Sequence, residues 1–172
     1  MPQTPPRRLP ALALRIALCL RLALTLGLGL VGLALGTLPG QAQAQEVVEC
    51  DWKASAANIA EPWEAHTRTF SNGKTRLALI DTIEPAGGAL WLLILSPPYD
   101  ELGDRQCRMV GYRGIGFLNL DFAAMQASYD PARGLTFRLP GALYGDGVNN
   151  TAITLSVTLN QATGAITPEV WR

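Results

Sequence analysis

Short runs of alternating apolar and polar residues, separated by turn residues, are the feature that most constrains the fold of this chain. The clearest run is Thr151 to Asn160, in which four apolar residues alternate with four polar ones. A period of two residues indicates a β-strand with one buried and one exposed face. Asn160 and Gly164 then favour a tight turn, and Ala165 to Thr167 begins a returning strand.

The same arrangement of strand, turn and strand occurs twice more. One copy spans 126–139 around the turn Asp130 to Gly134, and the other spans 67–83 around Asn72-Gly73. Asparagine and glycine accept the left-handed conformations of hairpin turns, and Pro131 presets the backbone angle of its turn. Three such hairpins predict an all-β or β-dominated fold.

The most apolar part of the chain outside the N-terminal region is Ala89 to Leu95, a run of seven residues. It is too short for a typical helix and predicts a central strand that is covered on both faces. We expect Cys107 to Tyr112 to return beside it, and Leu118 to Phe122 to form a further strand.

Two alanine-rich segments are ambiguous, because alanine favours helices. Ala54 to Glu61 is predicted to be a short helix that Pro62 ends, and Asp121 to Ala127 is predicted to be strand-like. No repeat or linker divides residues 45–172. The fold prediction is therefore a single small β-sandwich or barrel-like domain of about eight short antiparallel strands, with at most one short helix and one disulfide.

The N-terminal region has the pattern of a secretory signal peptide. Four arginines precede the uncharged stretch Leu22 to Leu38, which Pro39-Gly40 and the small residues Ala42 and Ala44 follow. We predict cleavage after Ala44, which divides the chain into a signal peptide, 1–44, and an exported domain, 45–172, without a stable membrane anchor. The alternative is an uncleaved anchor, because 17 uncharged residues lie at the lower limit of the roughly 17–25 that span a bilayer.

The charge of the predicted exported domain argues against nucleic acid as a partner. Residues 45–172 contain all 14 acidic residues and 10 of the 14 basic ones, which gives a net charge of about −4. A basic surface, which nucleic-acid binding requires, is therefore not expected. The alanine-rich leader is of a bacterial type, so the expected location is periplasmic or secreted.

The cysteines fit an oxidising compartment. Cys19 lies within the predicted signal peptide, which leaves Cys50 and Cys107 in the exported domain. With only two cysteines there is one possible pairing, and disulfides persist outside the cytoplasm. We predict the bridge Cys50 to Cys107.

No set of residues predicts a catalytic or metal site. His66 is the only histidine of the chain, and beside Trp63 and Glu64 it is interpreted as a surface residue. A structural zinc site requires four ligands and a catalytic one about three, which residues 45–172 do not provide from histidine and cysteine. We predict no catalytic residue, no metal and no cofactor.

The segment Pro97 to Gln106 is the candidate binding site. Its predicted binding residues share an aromatic or acidic side chain next to the cysteine that anchors the segment; they are Tyr99, Asp100, Glu101 and Asp104. A rigid loop that exposes an aromatic residue is a common recognition surface. Two alternatives remain open: Tyr99 folds back over the edge of the sheet, and the carboxylates bind calcium.

Three of the tryptophans are candidates for stacking on a sugar. Trp52, Trp63 and Trp91 could lie against a polymeric substrate, but tryptophan in a β-domain more often belongs to the core. We therefore interpret them as core residues, and Trp171 as part of the last strand.

The functional hypothesis is a non-enzymatic binding or accessory module that acts through its loops, notably 97–106, on a protein or an envelope component. The first alternative is a small hydrolase of an envelope polymer that uses Asp100, Glu101 or Asp104 as general acid or base. The second is an enzyme inhibitor whose 97–106 segment occupies the cleft of its target.

Overall fold

The alternating residues form strands in the computed structural model, which describes residues 45–172. The predicted signal peptide and its cleavage site lie outside these residues. The strands are β1 (Gln45–Glu49), β2 (Thr67–Phe70), β3 (Thr75–Asp81), β4 (Leu90–Tyr99), β5 (Arg105–Tyr112), β6 (Asn119–Leu120), β7 (Gln126–Asp130), β8 (Gly134–Leu143), β9 (Thr151–Leu159) and β10 (Ile166–Trp171).

These strands make two antiparallel sheets, as the β-sandwich prediction requires. Sheet A has the order β1-β5-β4-β3-β2. Sheet B has the order β10-β9-β8-β6, and β7 also pairs with β8. All three predicted hairpins are present, as β2–β3, β7–β8 and β9–β10. Gly73, Gly134 and Gly164 have the positive φ angles that their turns need.

The main core lies between the two sheets. Leu92 and Ile94 of β4 face Phe137, Leu155 and Val157 of sheet B, and all five side chains are fully buried. Each such side chain contributes roughly 1.5–3 kcal/mol by leaving water. The alternation seen in the sequence therefore places one apolar face of each sheet against the other.

A second layer covers the outer face of sheet A. The intervening residues of β4, Trp91 and Leu93, pack with Met109 and with residues of the segment 50–59. The central strand is thus covered on both faces, as its uninterrupted apolar run predicts.

The predicted helix over Ala54–Glu61 does not form. Its place is taken by two 3₁₀ turns, Trp52–Ala54 and Ala56–Asn58. The side chains of Asp51 and Ser55 accept hydrogen bonds from the backbone N–H groups of Lys53 and Ala57, and such local bonds compete with a continuous helix. The one short helix among the described residues, α1 (Trp63–His66), begins after Pro62.

The predicted strands near residue 120 are shorter than expected. Within the predicted strand Leu118–Phe122, only Asn119–Leu120 forms a strand, which pairs with β8. The side chain of Asp121 accepts a hydrogen bond from the N–H of Ala124, and the chain turns there. Phe122 and Met125 are buried from within this turn rather than from a strand. The strand-like interpretation of Asp121–Ala127 holds only where β7 begins.

The burial of the tryptophans differs from the prediction in two cases. Trp91 is a core residue, but Trp52 and Trp63 are 70% and 51% exposed. Trp52 lies in the first 3₁₀ turn, and Trp63 is the first residue of α1. Trp171 lies in β10, as expected.

Candidate binding surface

The segment 97–106 is the end of a β-hairpin rather than a ten-residue loop. β4 continues to Tyr99 and β5 begins at Arg105, so that only 100–104 lies between the strands. Tyr99 pairs with Arg105, after a shift of register between Ser96 and Tyr99. Tyr99 is therefore the last residue of β4, and Asp100, Glu101 and Asp104 lie in the short turn between the two strands.

Asp100 shapes this turn from within. One carboxylate oxygen, Oδ1, accepts hydrogen bonds from the N–H groups of Leu102 at 2.9 Å and Asp104 at 2.8 Å. The N–H of Asp100 donates to the carbonyl of Asp104 at 2.9 Å, and that of Gly103 to the carbonyl of Asp100 at 3.1 Å. The turn is therefore closed by its own hydrogen bonds, and Asp100 has a structural role in addition to any contact with a ligand.

Arg105 joins this turn to the β2–β3 turn. Its Nε donates to the carbonyl of Lys74 and its Nη2 to that of Gly73, both at 3.1 Å. The guanidinium carbon lies 5.7 Å from the centroid of the Tyr99 ring, within the range of a cation–π contact. Tyr99 is held over Arg105 and keeps 45% of its surface exposed.

Gln106 joins the same hairpin to the β9–β10 turn of the other sheet. Its Nε2 lies within hydrogen-bonding distance of the Ser96 hydroxyl, at 2.9 Å, and of the carbonyls of Pro97, at 3.1 Å, and Gly164, at 2.9 Å. Because Gly164 belongs to sheet B, this side chain connects the ends of the two sheets.

Gln161 makes the third connection. Its Nε2 donates to the hydroxyl oxygens of Ser71 at 2.9 Å and Thr75 at 3.0 Å, which lie at the β2–β3 turn. Three hairpin turns, 71–74, 100–104 and 160–165, are thus linked in a closed series of side-chain hydrogen bonds. We refer to these three turns as the turn end of the sandwich.

The predicted disulfide is present beside the turn end. Cys50 and Cys107 are bonded, with their Cα atoms 5.4 Å apart, and the N–H of Cys50 donates to the carbonyl of Cys107 at 3.4 Å. The bridge fixes the segment after β1 to β5, and it anchors the chain two residues after Arg105.

Tyr99 separates two open clefts at the turn end. The disulfide cleft, of about 450 Å³, is lined by Glu49, Cys50, Pro98, Tyr99, Asp100, Asp104, Arg105, Gln106, Cys107 and Arg108. The glutamine cleft, of about 420 Å³, is lined by Ser71, Asn72, Lys74, Pro97, Tyr99 and Gln161. A ligand at this end can contact the tyrosine ring from either side.

The structure brings together three of the four predicted binding residues. Tyr99 lines both clefts, and Asp100 and Asp104 line the disulfide cleft, whereas Glu101 lines neither. The charge of the disulfide cleft is mixed, because Arg105 and Arg108 also line it, and Arg108 Nη2 lies 3.5 Å from Glu49 Oε1. His66, interpreted as a surface residue, is hydrogen-bonded through Nδ1 to the carbonyl of Pro62 at 3.2 Å.

The two carboxyl groups with altered pKa values also belong to turns. The side chain of Lys53, bonded to Asp51, lowers the pKa of that carboxyl below its ordinary value. The N–H and side-chain amide of Asn149 lower the pKa of Asp146 in the same direction. In both cases hydrogen bonds to the charged form favour it, and neither residue lines the two clefts.

Residues 45–172 contain neither a cluster of metal-ligating side chains nor a membrane-spanning helix. This part of the chain contains no group of three or more histidine, cysteine, aspartate or glutamate residues arranged to hold a metal ion. No helix within it is both long and apolar enough to cross a membrane.

The opposite end of the sandwich exposes apolar residues that sequence reasoning missed. Ile115 and Tyr144 lie on either side of Gly87-Gly88, where an added Cβ would meet their side chains. Ile83, nearby in the chain, is 76% exposed and has a φ of 67°, a strained conformation for a β-branched residue. The pair Gly87-Gly88 was the available signal, because glycine permits such close approach.

Comparison with known proteins gives no match for this chain: no protein-family model, no curated protein and no solved structure matches it.

Proposed function

We propose that this protein is an exported, non-enzymatic binding module that recognises its partner through the turn end. The binding residues are Tyr99, at the centre, with Asp100 and Asp104 on one side and Lys74 and Gln161 on the other. The partner is a protein or an envelope component rather than a nucleic acid, since the exported part has a net charge of about −4.

The observation that carries this proposal is the set of hydrogen bonds that links the three turns. Arg105, Gln106 and Gln161 hold turns of both sheets in one arrangement by hydrogen bonds within the chain itself. A surface that is already ordered loses less conformational entropy on binding, so more of the contact energy remains as affinity. Tyrosine is among the residues that contribute most to such interfaces.

Export is supported by the sequence pattern of 1–44 and by the disulfide. The bond between Cys50 and Cys107 is of the kind that persists in the periplasm or outside the cell. The proposed location is therefore periplasmic or secreted.

The test compares two exposed tyrosines at opposite ends of the sandwich. The purified protein and its Tyr99→Ala and Tyr144→Ala variants are used to capture partners from an envelope fraction. We expect Tyr99→Ala to weaken capture at least tenfold, the equivalent of about 1.4 kcal/mol, and Tyr144→Ala to leave it unchanged. Loss of capture only with Tyr144→Ala would contradict the proposal and would identify the apolar end as the binding surface.

A second candidate function is the carboxylate-dependent hydrolase, which the disulfide cleft favours because it gathers Glu49, Asp100 and Asp104. Asp104 is the better candidate for general acid or base, since Asp100 already accepts two backbone hydrogen bonds. If the wild-type protein and the Glu101→Gln variant hydrolyse an envelope polymer and the Asp104→Asn variant does not, the result supports the hydrolase. Unchanged polymer after incubation with the wild-type protein would exclude it for that substrate.

The inhibitor hypothesis is a special case of the binding module, in which the partner is an enzyme. Leu102, at the tip of the turn, is 90% exposed and stands clear of both sheets. The inhibitor hypothesis predicts that the protein inhibits a captured enzyme and that Leu102→Asp removes this inhibition. Capture without inhibition would contradict the inhibitor hypothesis and would still agree with a binding module.

A further inference from the structure

The four longer edge strands of the two sheets differ in how they are protected. An exposed edge pairs readily with another strand, and proteins prevent this with charged residues, prolines or very short strands. β1 carries two glutamates, β2 has four residues including Arg68, and β10 carries Pro168 and Glu169. β7 has neither a proline nor a charge before its last residue, Asp130.

β7 is also fully exposed. It pairs with β8 along all five of its residues and with no other strand among residues 45–172. Ala127 and Tyr129 pair with Phe137 and Leu135, which are buried between the sheets, so they lie on the inner face of sheet B. Nevertheless 64% of Tyr129 is exposed, because sheet A does not cover this strand.

We propose that β7 is a self-association edge, at which a second copy of this chain adds its own β7 in an antiparallel register centred on Ser128. The two copies are then related by a twofold axis, and the two B sheets become one continuous sheet. Backbone hydrogen bonds between the edges supply the attraction, as in other cases of strand addition.

The sequence of β7 is its own complement in this register. Tyr129 lies opposite Ala127 of the other copy, so that a large side chain meets a small one. Asp130 lies opposite Gln126, whose amide can donate to a carboxylate, and no like charges face each other.

Charge on the neighbouring strand favours a second copy over an unrelated strand. Arg138 of β8 pairs with Gln126, is exposed, and forms no ion pair among the described residues. In the proposed register Gln126 lies between Arg138 and the Asp130 of the other copy, so the arginine attracts the aspartate across one strand. The twofold axis produces this attraction twice. Five residues form a small interface, so the association is weak and depends on concentration.

The experiment measures the mass of the purified, disulfide-bonded protein by sedimentation between about 10 μM and about 1 mM, a range that covers weak association. We expect the wild-type mass to rise toward that of a dimer. Ser128→Lys and Ser128→Glu place like charges opposite each other at the axis, so each variant alone should remain monomeric. An equimolar mixture of the two should associate again, because lysine then faces glutamate.

Thr167→Lys, on the edge strand β10 of the same sheet, is the matched control and should associate as the wild type does. Recovery in the mixture also shows that both Ser128 variants are folded. A wild-type protein that stays monomeric up to the highest concentration overturns the proposal, as does a dimer that Ser128→Lys leaves intact. Because Tyr99 and the turn end take no part, this result is independent of the capture experiment.

Discussion

Gln106 joins the two sheets at the turn end through its side-chain amide. It lies within hydrogen-bonding distance of groups on β4 and on the β9–β10 turn, and one of them, Ser96, is completely buried. We expect Gln106→Ala to lower the free energy of unfolding by about 1–3 kcal/mol, because buried polar groups would lose their partner. Denaturant unfolding measures this difference.

The control for this substitution is Gln126→Ala, measured at low protein concentration, where a truncated exposed glutamine should change the free energy of unfolding by less than about 0.5 kcal/mol. Equal effects of the two substitutions would show that Gln106 is not a structural link. If Gln106→Ala also weakens capture of the partner, the order of the turns contributes to binding.

Asp146 provides a prediction about pH. The N–H and side-chain amide of Asn149, together with the N–H of Val148, hold its pKa below the ordinary value of 3.8. A lowered pKa in the folded state means that this carboxylate stabilises its turn fully above about pH 3.8. The stabilisation is lost as the pH falls through the lowered value.

An NMR titration of the side-chain carboxyl should therefore give a pKa for Asp146 below 3.8. Asn149→Ala should raise that pKa toward 3.8, while the backbone N–H retains part of the effect. Asn150→Ala is the control, because the Asn150 side chain accepts from Gly145 and does not contact Asp146. An Asp146 pKa that does not respond to Asn149→Ala would contradict the assigned cause.

At the scale of elements, the sequence predicted the hairpins but not every strand. The hairpins follow from Asn72-Gly73, Asp130 to Gly134 and Asn160 to Gly164, because each turn is set by residues adjacent in sequence. β1 could not be predicted in this way. Its sequence has only Val47 and Val48 as apolar residues, and it is a strand because β5, far along the chain, pairs with it.

The disulfide also joins the β1 region to β5, because Cys50 follows β1 and Cys107 lies in β5. It links residues 57 positions apart, so removing it should cost about 4 kcal/mol of unfolding free energy through the entropy of the unfolded chain. We expect this loss in the double variant Cys50→Ala with Cys107→Ala, measured by denaturant unfolding. The native protein should contain no thiol that can be alkylated without reduction, and two reactive thiols would contradict the bridge in the exported protein.

For the molecule as a whole, the sequence singled out Tyr99 as a candidate binding residue, but it did not show how the three turns around this residue are joined. Tyr99 was identified from its neighbours in the chain, since prolines precede it and a cysteine follows. Lys74 and Gln161 line the glutamine cleft beside Tyr99 because turns from different hairpins meet there. Side-chain bonds between residues as distant as Ser71 and Gln161 leave no periodic pattern in a sequence.

The proposed export concerns the whole chain, and it can be tested directly. We expect the protein recovered from the periplasm or medium to begin at Gln45, because cleavage after Ala44 removes the leader. Replacing Ala42 and Ala44 by leucine should make the unprocessed form accumulate, since the cleavage site needs small residues. Mass spectrometry of the intact protein distinguishes the two forms, and recovery of the unprocessed mass for the wild type would instead support an anchor.

The pairing of β1 with β5 has a consequence for how the chain reaches its folded state. A ribosome completes β1 before β5, the partner against which it must pair. At about 5–20 residues per second, the wait from Glu49 to Arg108 lasts roughly 3–12 s. Until β5 is available the β1 segment has no partner strand, and the negative charges of Glu46 and Glu49 disfavour its pairing with other chains. The first strand of the described chain therefore joins its sheet only after a strand that is made much later.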